Sequence, residues 1–195
     1  MTNISNISKI IRITLIGAWA AIIFAAIILY ISDPAAFSGT NIALFLKANA
    51  GNIWIAYILI SIVRGLTLLP STPLVIAGTI LFPTEPIAVF LVSIIGIALS
   101  STMIYFFSEA LGFDDFFEKR KPDRVHSIHR RMETPWGLAF VAAWAFFPFA
   151  PTDAVCYVAG IVRLNFCKFL CAILFGEAIL CAIYISGGSL LLGRS

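Results

Sequence analysis

Residues 64–83 read RGLTLLPSTPLVIAGTILFP, and residues 146–170 read FFPFAPTDAVCYVAGIVRLNFCKFL. Each is an apolar stretch interrupted near its centre by a proline pair with polar neighbours: Pro70-Ser71-Thr72-Pro73 in the first, Pro148-Phe149-Ala150-Pro151-Thr152-Asp153 in the second. Proline breaks a helix because it has no N–H to give and its ring collides with the preceding turn. Each stretch therefore reads as two short apolar helices joined by a break. The fold depends on whether those breaks lie in water or in lipid.

Composition decides for lipid. Of 195 residues, 61% are hydrophobic and 12% charged, with a mean hydropathy of +1.00, whereas a soluble domain is about half apolar and a quarter charged. A chain this short has no interior able to hide so many apolar side chains, so it reads as an all-α, polytopic integral membrane protein forming one membrane domain over 1–195. The net charge of +3 and pI near 8.8 are too slight to point to nucleic acid. Cys156, Cys167, Cys171 and Cys181 lie in or beside apolar runs without C-x-x-C spacing and read as small buried side chains, not as a disulfide framework or zinc site.

The spans follow from run length and charge. Ile13 to Ile31 carries no charge and is long enough for a ~30 Å hydrocarbon core, too long for the apolar centre of a signal peptide. Lys9 and Arg12 before it predict a cytoplasmic N-terminus. Residues 33–52 are mixed and read as an outer loop with a short amphipathic piece at Ile42–Leu46. Ile87 to Phe107 is a clean second span, and Phe169 to Leu192 a third. Residues 108–136 hold six of the thirteen lysines and arginines, which predicts a cytoplasmic loop, amphipathic where Phe113, Phe116, Phe117, Val125, Ile128 and Met132 face lipid. With 33–52 outside and 108–136 inside, the single crossing at 87–107 leaves 53–82 no net crossing to make. Its return limb, 73–82, would be about 15 Å long, half a bilayer. The same plan recurs in 137–168, with limbs of roughly 14–16 Å. The expectation is two inverted re-entrant helical hairpins, each followed by a transmembrane helix. A proline-kinked helix crossing the bilayer remains the alternative for the second.

Irregular backbone at membrane depth needs protein or a water-filled cavity around it, so each break is a candidate site. Ser71 and Thr72 before Pro73 are in the order of an N-cap and a first-turn proline, which would place a positive helix end at mid-depth. Thr152 and Asp153 take that place in the second hairpin. Arg64 would lie about 16 Å deep, where a charge costs about 2.5–3.5 kcal/mol and is usually functional or paired. Glu177 is a second intramembrane charge. Lys168 lies on the opposite side of its helix, so Glu177 must find a partner on another segment, Arg64 among the candidates, or be protonated. The candidate substrate- or ion-binding set is Arg64, Pro70, Ser71, Thr72, Pro73, Gly78, Pro148, Pro151, Thr152, Asp153, Gly160 and Glu177.

The remaining polar features point to less. His126 and His129, with Asp123 and Glu133, have a spacing open to a metal but read as a solvated helix face, and no cofactor is expected. No Ser-His-Asp order or phosphate-cradling glycine loop occurs, so the chain is not expected to be an enzyme.

The two quoted stretches, with Tyr105-Phe-Phe-Ser-Glu-Ala-Leu-Gly112 and the Gly176-Glu177 and Gly187-Gly188 pairs, resemble the DedA-like, VTT-domain (SNARE-associated Golgi protein) superfamily over residues about 53–190. The resemblance implies two opposed re-entrant hairpins, a bacterial inner-membrane location, and the flipping or scrambling of phospholipids or polyprenyl phosphates, in some members tied to the proton gradient. Arg64 matches an arginine that family members often carry ahead of the first break. Trp144, Ala145 and Phe146 stand where many carry another before the second, and Glu109 stands where many have a basic residue. The expected partners are membrane lipids, with homo-oligomerisation open. A lipid flippase or scramblase is the leading reading. Its rivals are a proton-coupled transporter of a small solute or ion using Asp153 and Glu177, and an assembly factor whose hairpins only bind partner helices.

Overall fold

The computed structural model describes residues 2–67, 69–110, 120, 122–148 and 150–191, with the backbone alone for 2–13, 15, 66, 109–110 and 189–191. Among these residues the regular structure is helical: α1 (Thr2–Ser32), α2 (Gly39–Asn49), α3 (Ile53–Val63), α4 (Thr72–Leu81), α5 (Pro86–Ala110), α6 (Pro122–Met132), α7 (Pro135–Phe146), α8 (Thr152–Ile161) and α9 (Phe166–Leu191). Short 3-10 turns occupy Pro34–Phe37 and Arg64–Thr67. Of the amphipathic loop positions, Phe113, Phe116 and Phe117 lie outside the described residues, and so does the Glu109 side chain. Val125 and Met132 pack against the protein core, not out toward lipid.

Two boundaries differ from expectation. Residues 33–52 are not a loose loop. Asp33 caps the 3-10 turn, the Ser38 hydroxyl accepts from the Asn41 N–H to start α2, and α2 packs along α4. Gly39 makes that packing close, since a Cβ there would fall 2.9 Å from the Pro73 carbonyl oxygen. The first break also opens earlier than Pro70: α3 ends at Val63 and the chain tightens into the 3-10 turn at Arg64.

The chain doubles back at both breaks. Trp54, at the start of α3, stacks on Phe82, just past the end of α4, with ring centroids 3.6 Å apart and 14° between planes. Gly78 sits against Tyr57 as α4 returns along α3. In the second unit Glu133, before α7, accepts through Oε1 from the Asn165 N–H after α8 at 3.0 Å, and His129 Nδ1 bonds to the Val162 carbonyl at 2.8 Å. The four limbs have 11, 10, 12 and 10 residues, about 15–18 Å each.

The halves are built alike and run in opposite senses. Helix α8 starts 80 residues after α4 (72 and 152), and α9 starts 80 after α5 (86 and 166). Each entering limb packs on its own long helix, α3 on α5 and α7 on α9, and each return limb crosses to the other half, α4 to α9 and α8 to α5. Tyr57, Ser61 and Gly65 meet Ser93, Gly96 and Ser100 in order, so α3 and α5 run parallel. Ser71 and Thr79 meet Glu177 and Gly188 in order, so α4 and α9 do too. With α4 antiparallel to α3, the long helices α5 and α9 are antiparallel.

Small residues make these crossings close. Gly96 and Gly176 hold the same position in α5 and α9, and each takes a neighbouring limb against its bare Cα: Ser61 in one case, Ala142 and Ala145 in the other. The buried face of α5 carries Ser93, Ser100, Ser101 and Ser108, two of whose hydroxyls bond the helix's own carbonyls. This is how helices approach when burial of apolar surface does not itself drive association. The outward faces are the reverse. Ile87, Leu91, Ile95, Leu99 and Met103 form an exposed stripe on α5, and Phe175, Ile179 and Ile183 on α9. Cys167 and Cys171 continue the α9 stripe at the same four-residue spacing, so they are exposed, contrary to expectation, while Cys156 and Cys181 are buried. Helices α5 and α9 are long and apolar enough to cross a membrane.

Candidate functional site

Arg64 terminates α3 where the first break opens, and its guanidinium is drawn inward. Its Nη1 donates to Asp153 Oδ2 at 3.2 Å and to the Leu69 carbonyl at 3.2 Å. Arg64 is 8% exposed and Asp153 2%. The ion pair thus ties the first break to the first turn of α8, across the two halves. A guanidinium carries five N–H donors. Those on Nε and Nη2 have no partner among the described residues.

Glu177 occupies the middle of α9 and is fully buried. The Ser71 hydroxyl donates to its Oε2 at 3.1 Å, and the Thr152 hydroxyl to its Oε1 at 2.8 Å. Ser71 comes from the first break and Thr152 from the second, so one carboxyl group fastens both. This explains a departure at the start of α4: its N-cap residue, Ser71, makes no side-chain cap bond because its hydroxyl is turned to Glu177, while the N-cap position of α8 is Pro151, which has no hydroxyl to offer. The expected capping by Ser71 is thereby corrected. The positive ends of two helices converge on buried carboxyl groups, an arrangement favoured by the helix dipole. Asp153 does not neutralise its own helix alone, since Arg64 shares its charge. The partner of Glu177, open on sequence grounds, is this pair of hydroxyls and not Arg64.

Two cavities meet at Arg64. The larger, about 510 Å³, is an open groove between the first break and the α1–α2 connection. Its walls are mainly apolar, from Tyr30, Phe37, Ile42, Phe45, Ile60 and Leu69, with Pro70 and Pro73 at the break, Asp33 and Asn41 as further polar residues, and Arg64 among the lining residues. The smaller is a buried chamber of about 10 Å³ edged by Tyr57, Ser61, Arg64, Ser71 and Ser93, room for about one water molecule. The Tyr57 and Ser93 hydroxyls are 3.1 Å apart there.

Of the twelve predicted residues, Arg64 with Asp153, and Ser71 and Thr152 with Glu177, form two buried clusters that adjoin at the Thr152–Asp153 peptide, and Pro70 and Pro73 line the groove. Thr72 Oγ1 donates to the Pro148 carbonyl at 3.3 Å, joining the tips a second time. Pro151 accepts from Trp144 Nε1 at 3.5 Å and lines a separate apolar groove of about 480 Å³ with Phe140, Ala143 and Phe147. Gly78 and Gly160 lie elsewhere. They are close-packing positions, against Tyr57 and Val89 and against the Tyr105 carbonyl and Ser108. Sequence reasoning did not bring Tyr30, Phe37, Ile42 and Phe45 to the first break, because Tyr30 falls in the first span and the others in a stretch read as an outer loop with a short amphipathic piece. Nor did it find the Trp19–Tyr157 bond of 2.8 Å that holds α1 to α8, since neither residue stands out from an apolar run.

No curated protein and no solved structure gives a match. The family model described as the VTT domain matches residues 69–190, which takes in both proline breaks from Leu69 onward, both return limbs and both long helices, and leaves Arg64 and the groove walls of α1–α3 outside it. More than half of the sequence is so matched, and the half-length limbs, antiparallel long helices and paired breaks fall inside or against that stretch. The chain belongs to the VTT-domain family, the membrane-associated domain of the DedA and SNARE-associated Golgi proteins.

Proposed function

We propose that this chain moves lipid headgroups across a bilayer, as a flippase or scramblase. In this reading α1, α5 and α9 cross the membrane, the two doubled-back units enter it halfway from opposite faces as re-entrant hairpins, and the breaks meet near the midplane. The four limbs of about 15–18 Å suit half of a ~30 Å core. The apolar stripes of α5 and α9 then face acyl chains, the only solvent in which they cost nothing. The basic residues around α6 and Lys168 put that end of the molecule in the cytoplasm, with the N-terminus on the same side. The bacterial inner membrane is the location the resemblance implies. No cofactor and no covalent chemistry are invoked, and a homo-oligomer is compatible with the reading.

The observation that carries it is Arg64: a buried guanidinium at an apolar groove, whose Nε and Nη2 N–H groups have no partner among the described residues. An anionic headgroup entering that groove finds charge-assisted donors in a low-dielectric setting, while its chains stay against the apolar walls. Two half-length hairpins also thin the hydrocarbon that the headgroup must cross, and the cost of a charge in unbroken hydrocarbon is the barrier to be lowered. Asp153 is the switch in this scheme, because a phosphate and Asp153 compete for one guanidinium. Asp153 and Glu177 are the groups able to take up a proton if movement is coupled to one.

The test is movement of fluorescent phospholipid between leaflets of liposomes holding the full chain. The reading predicts rates well above those of empty vesicles, and a loss of at least tenfold in Arg64→Gln. Rates equal to those of protein-free vesicles, with folded protein, sink it. Uptake of a solute without lipid movement would favour the transporter reading, which the buried Glu177 also fits.

A further inference from the structure

Helix α6 is divided lengthwise into three strips. Val125, His129 and Met132 turn inward: the two apolar side chains pack on the core, and His129 bonds to the Val162 carbonyl. Asp123, His126 and Arg130 form one flank and line an open polar pocket with Glu133 and Thr134, to which Ser127 and His129 also contribute. The other flank, at spacings of four and three residues, is Arg124, Ile128 and Arg131, all exposed. Ile128 is 42% exposed between the two arginines. The combination is that of a helix lying at the level of lipid headgroups, apolar side chain dipping toward the acyl boundary and guanidinium groups spread among phosphates. Trp136, 86% exposed in the first turn of α7, stands at the same base of the second unit, and exposed indoles are characteristic of that depth.

We propose that the Arg124–Ile128–Arg131 flank of α6 is a docking surface for the anionic lipids of the leaflet it faces, and that it is separate from the groove at Arg64. The consequence is local coupling. The inward strip of α6 and the Glu133 that follows it hold the base of the second doubled-back unit, through Val162 and Asn165. Anionic lipid therefore clamps that base, and its removal loosens it. The proposal rests on the membrane placement given above but not on lipid movement, so its test reads binding alone.

The full chain is reconstituted into nanodiscs of phosphatidylcholine, with and without about 30 mol% phosphatidylglycerol, and amide hydrogen exchange is followed across 122–132. Exchange should be at least threefold slower with the anionic lipid, and high salt should erase the difference, because exposed charge pairs are screened. Arg124→Gln/Arg131→Gln should lose the effect, while Arg124→Lys/Arg131→Lys keeps most of it. Both pairs are exposed and leave the packed strip intact, so helicity is expected to be unchanged. Equal exchange in the two lipid mixtures overturns the proposal, as does a slowing that survives in the glutamine variant.

Discussion

Arg64 and Trp144 stand 80 residues apart at the same place in the two halves, and each reaches into its own break to donate to a main-chain carbonyl, Arg64 to Leu69 and Trp144 to Pro151. The counterpart of Asp153 by the same spacing is Pro73. The duplicated architecture thus carries an ion pair across one set of positions and a tryptophan and a proline at the matching positions. Two grooves result, one containing a guanidinium and one without a charged lining residue. In the proposed function, a headgroup is recognised by charge at the first break only.

The Arg64–Asp153 pair should behave as a unit. Removing one member leaves the other buried and unpaired, a loss of about 3–5 kcal/mol, whereas replacing both by apolar residues of similar size is often neutral. Arg64→Met or Asp153→Leu alone should therefore lower the unfolding midpoint in detergent far more than the double variant does. Additive losses would show that the two charges do not sense one another.

Glu177 should tolerate glutamine and not leucine. The amide keeps an oxygen for the Thr152 hydroxyl, and the Ser71 hydroxyl can turn to accept from its NH2, so Glu177→Gln should stay within about 1 kcal/mol of the native chain. Glu177→Leu strands two buried hydroxyls at about 1–3 kcal/mol each. Denaturation in micelles separates these outcomes, and a glutamine variant as damaged as the leucine one would deny that the hydroxyl bonds hold the tips.

Two glycines in one helix should differ sharply. A Cβ on Gly176 would come within 2.9 Å of the Ala145 Cβ and 3.0 Å of the Phe146 nitrogen, while Gly187 has open space around it. Backbone cannot yield as a flexible side chain can, so Gly176→Ala should cost about 1–3 kcal/mol. Gly187→Ala should be neutral or slightly stabilising through helix propensity. Thermal unfolding of the two variants side by side tests the α7–α9 crossing directly.

The breaks and the long helices were legible because proline and apolar run length act locally. Charge positions and the single apolar run at 87–107 together leave 53–82 no net crossing to make, and the Trp54–Phe82 stack brings the two ends of that stretch side by side. Arg64, Asp153 and Glu177 were legible as costly buried charges, but their pairing was not. Ser71 looked like a helix cap because its neighbours fit one, and only a carboxyl group arriving from α9 diverts it. Of α2 only the amphipathic piece at Ile42–Leu46 was legible, since Gly39, Asn41 and Asn49 weaken local helix signals and its support comes from α4. The 80-residue register was hidden at the proline level, where Pro70 and Pro73 match Ala150 and Asp153 by position. Equal lengths in the return limbs and linkers, and the matching starts of the long helices, reveal it.

Sided labelling should locate the doubled-back units in the membrane. With the native cysteines replaced by alanine, single cysteines at Asn52 and Thr84 should react with an impermeant maleimide from the same face of sealed vesicles. Those at Trp136 and Lys168 should react from the opposite face. All four side chains are exposed at the bases of the two units. If Asn52 and Thr84 label from different faces, the first unit runs through the bilayer and the hairpin reading fails.

The asymmetry between the two breaks can itself be reversed. An arginine at 144 would reach the carbonyl that Trp144 now uses, but its expected carboxylate partner is missing, since position 73 is proline. Trp144→Arg should therefore be destabilising by about 2.5–3.5 kcal/mol, the cost of an unpaired charge at the depth that the proposed hairpin gives it. Adding Pro73→Asp places a carboxylate where the pseudo-twofold relation puts the counterpart of Asp153, in the first turn of α4, where a negative charge also suits the helix dipole. The double variant should recover at least half of the loss. Two close charges in contact give coupling energies of about 0.5–3 kcal/mol, well above the scatter expected for independent sites. A double variant no more stable than the sum of its singles would mean that the two halves share helix lengths and packing but not the geometry of their breaks.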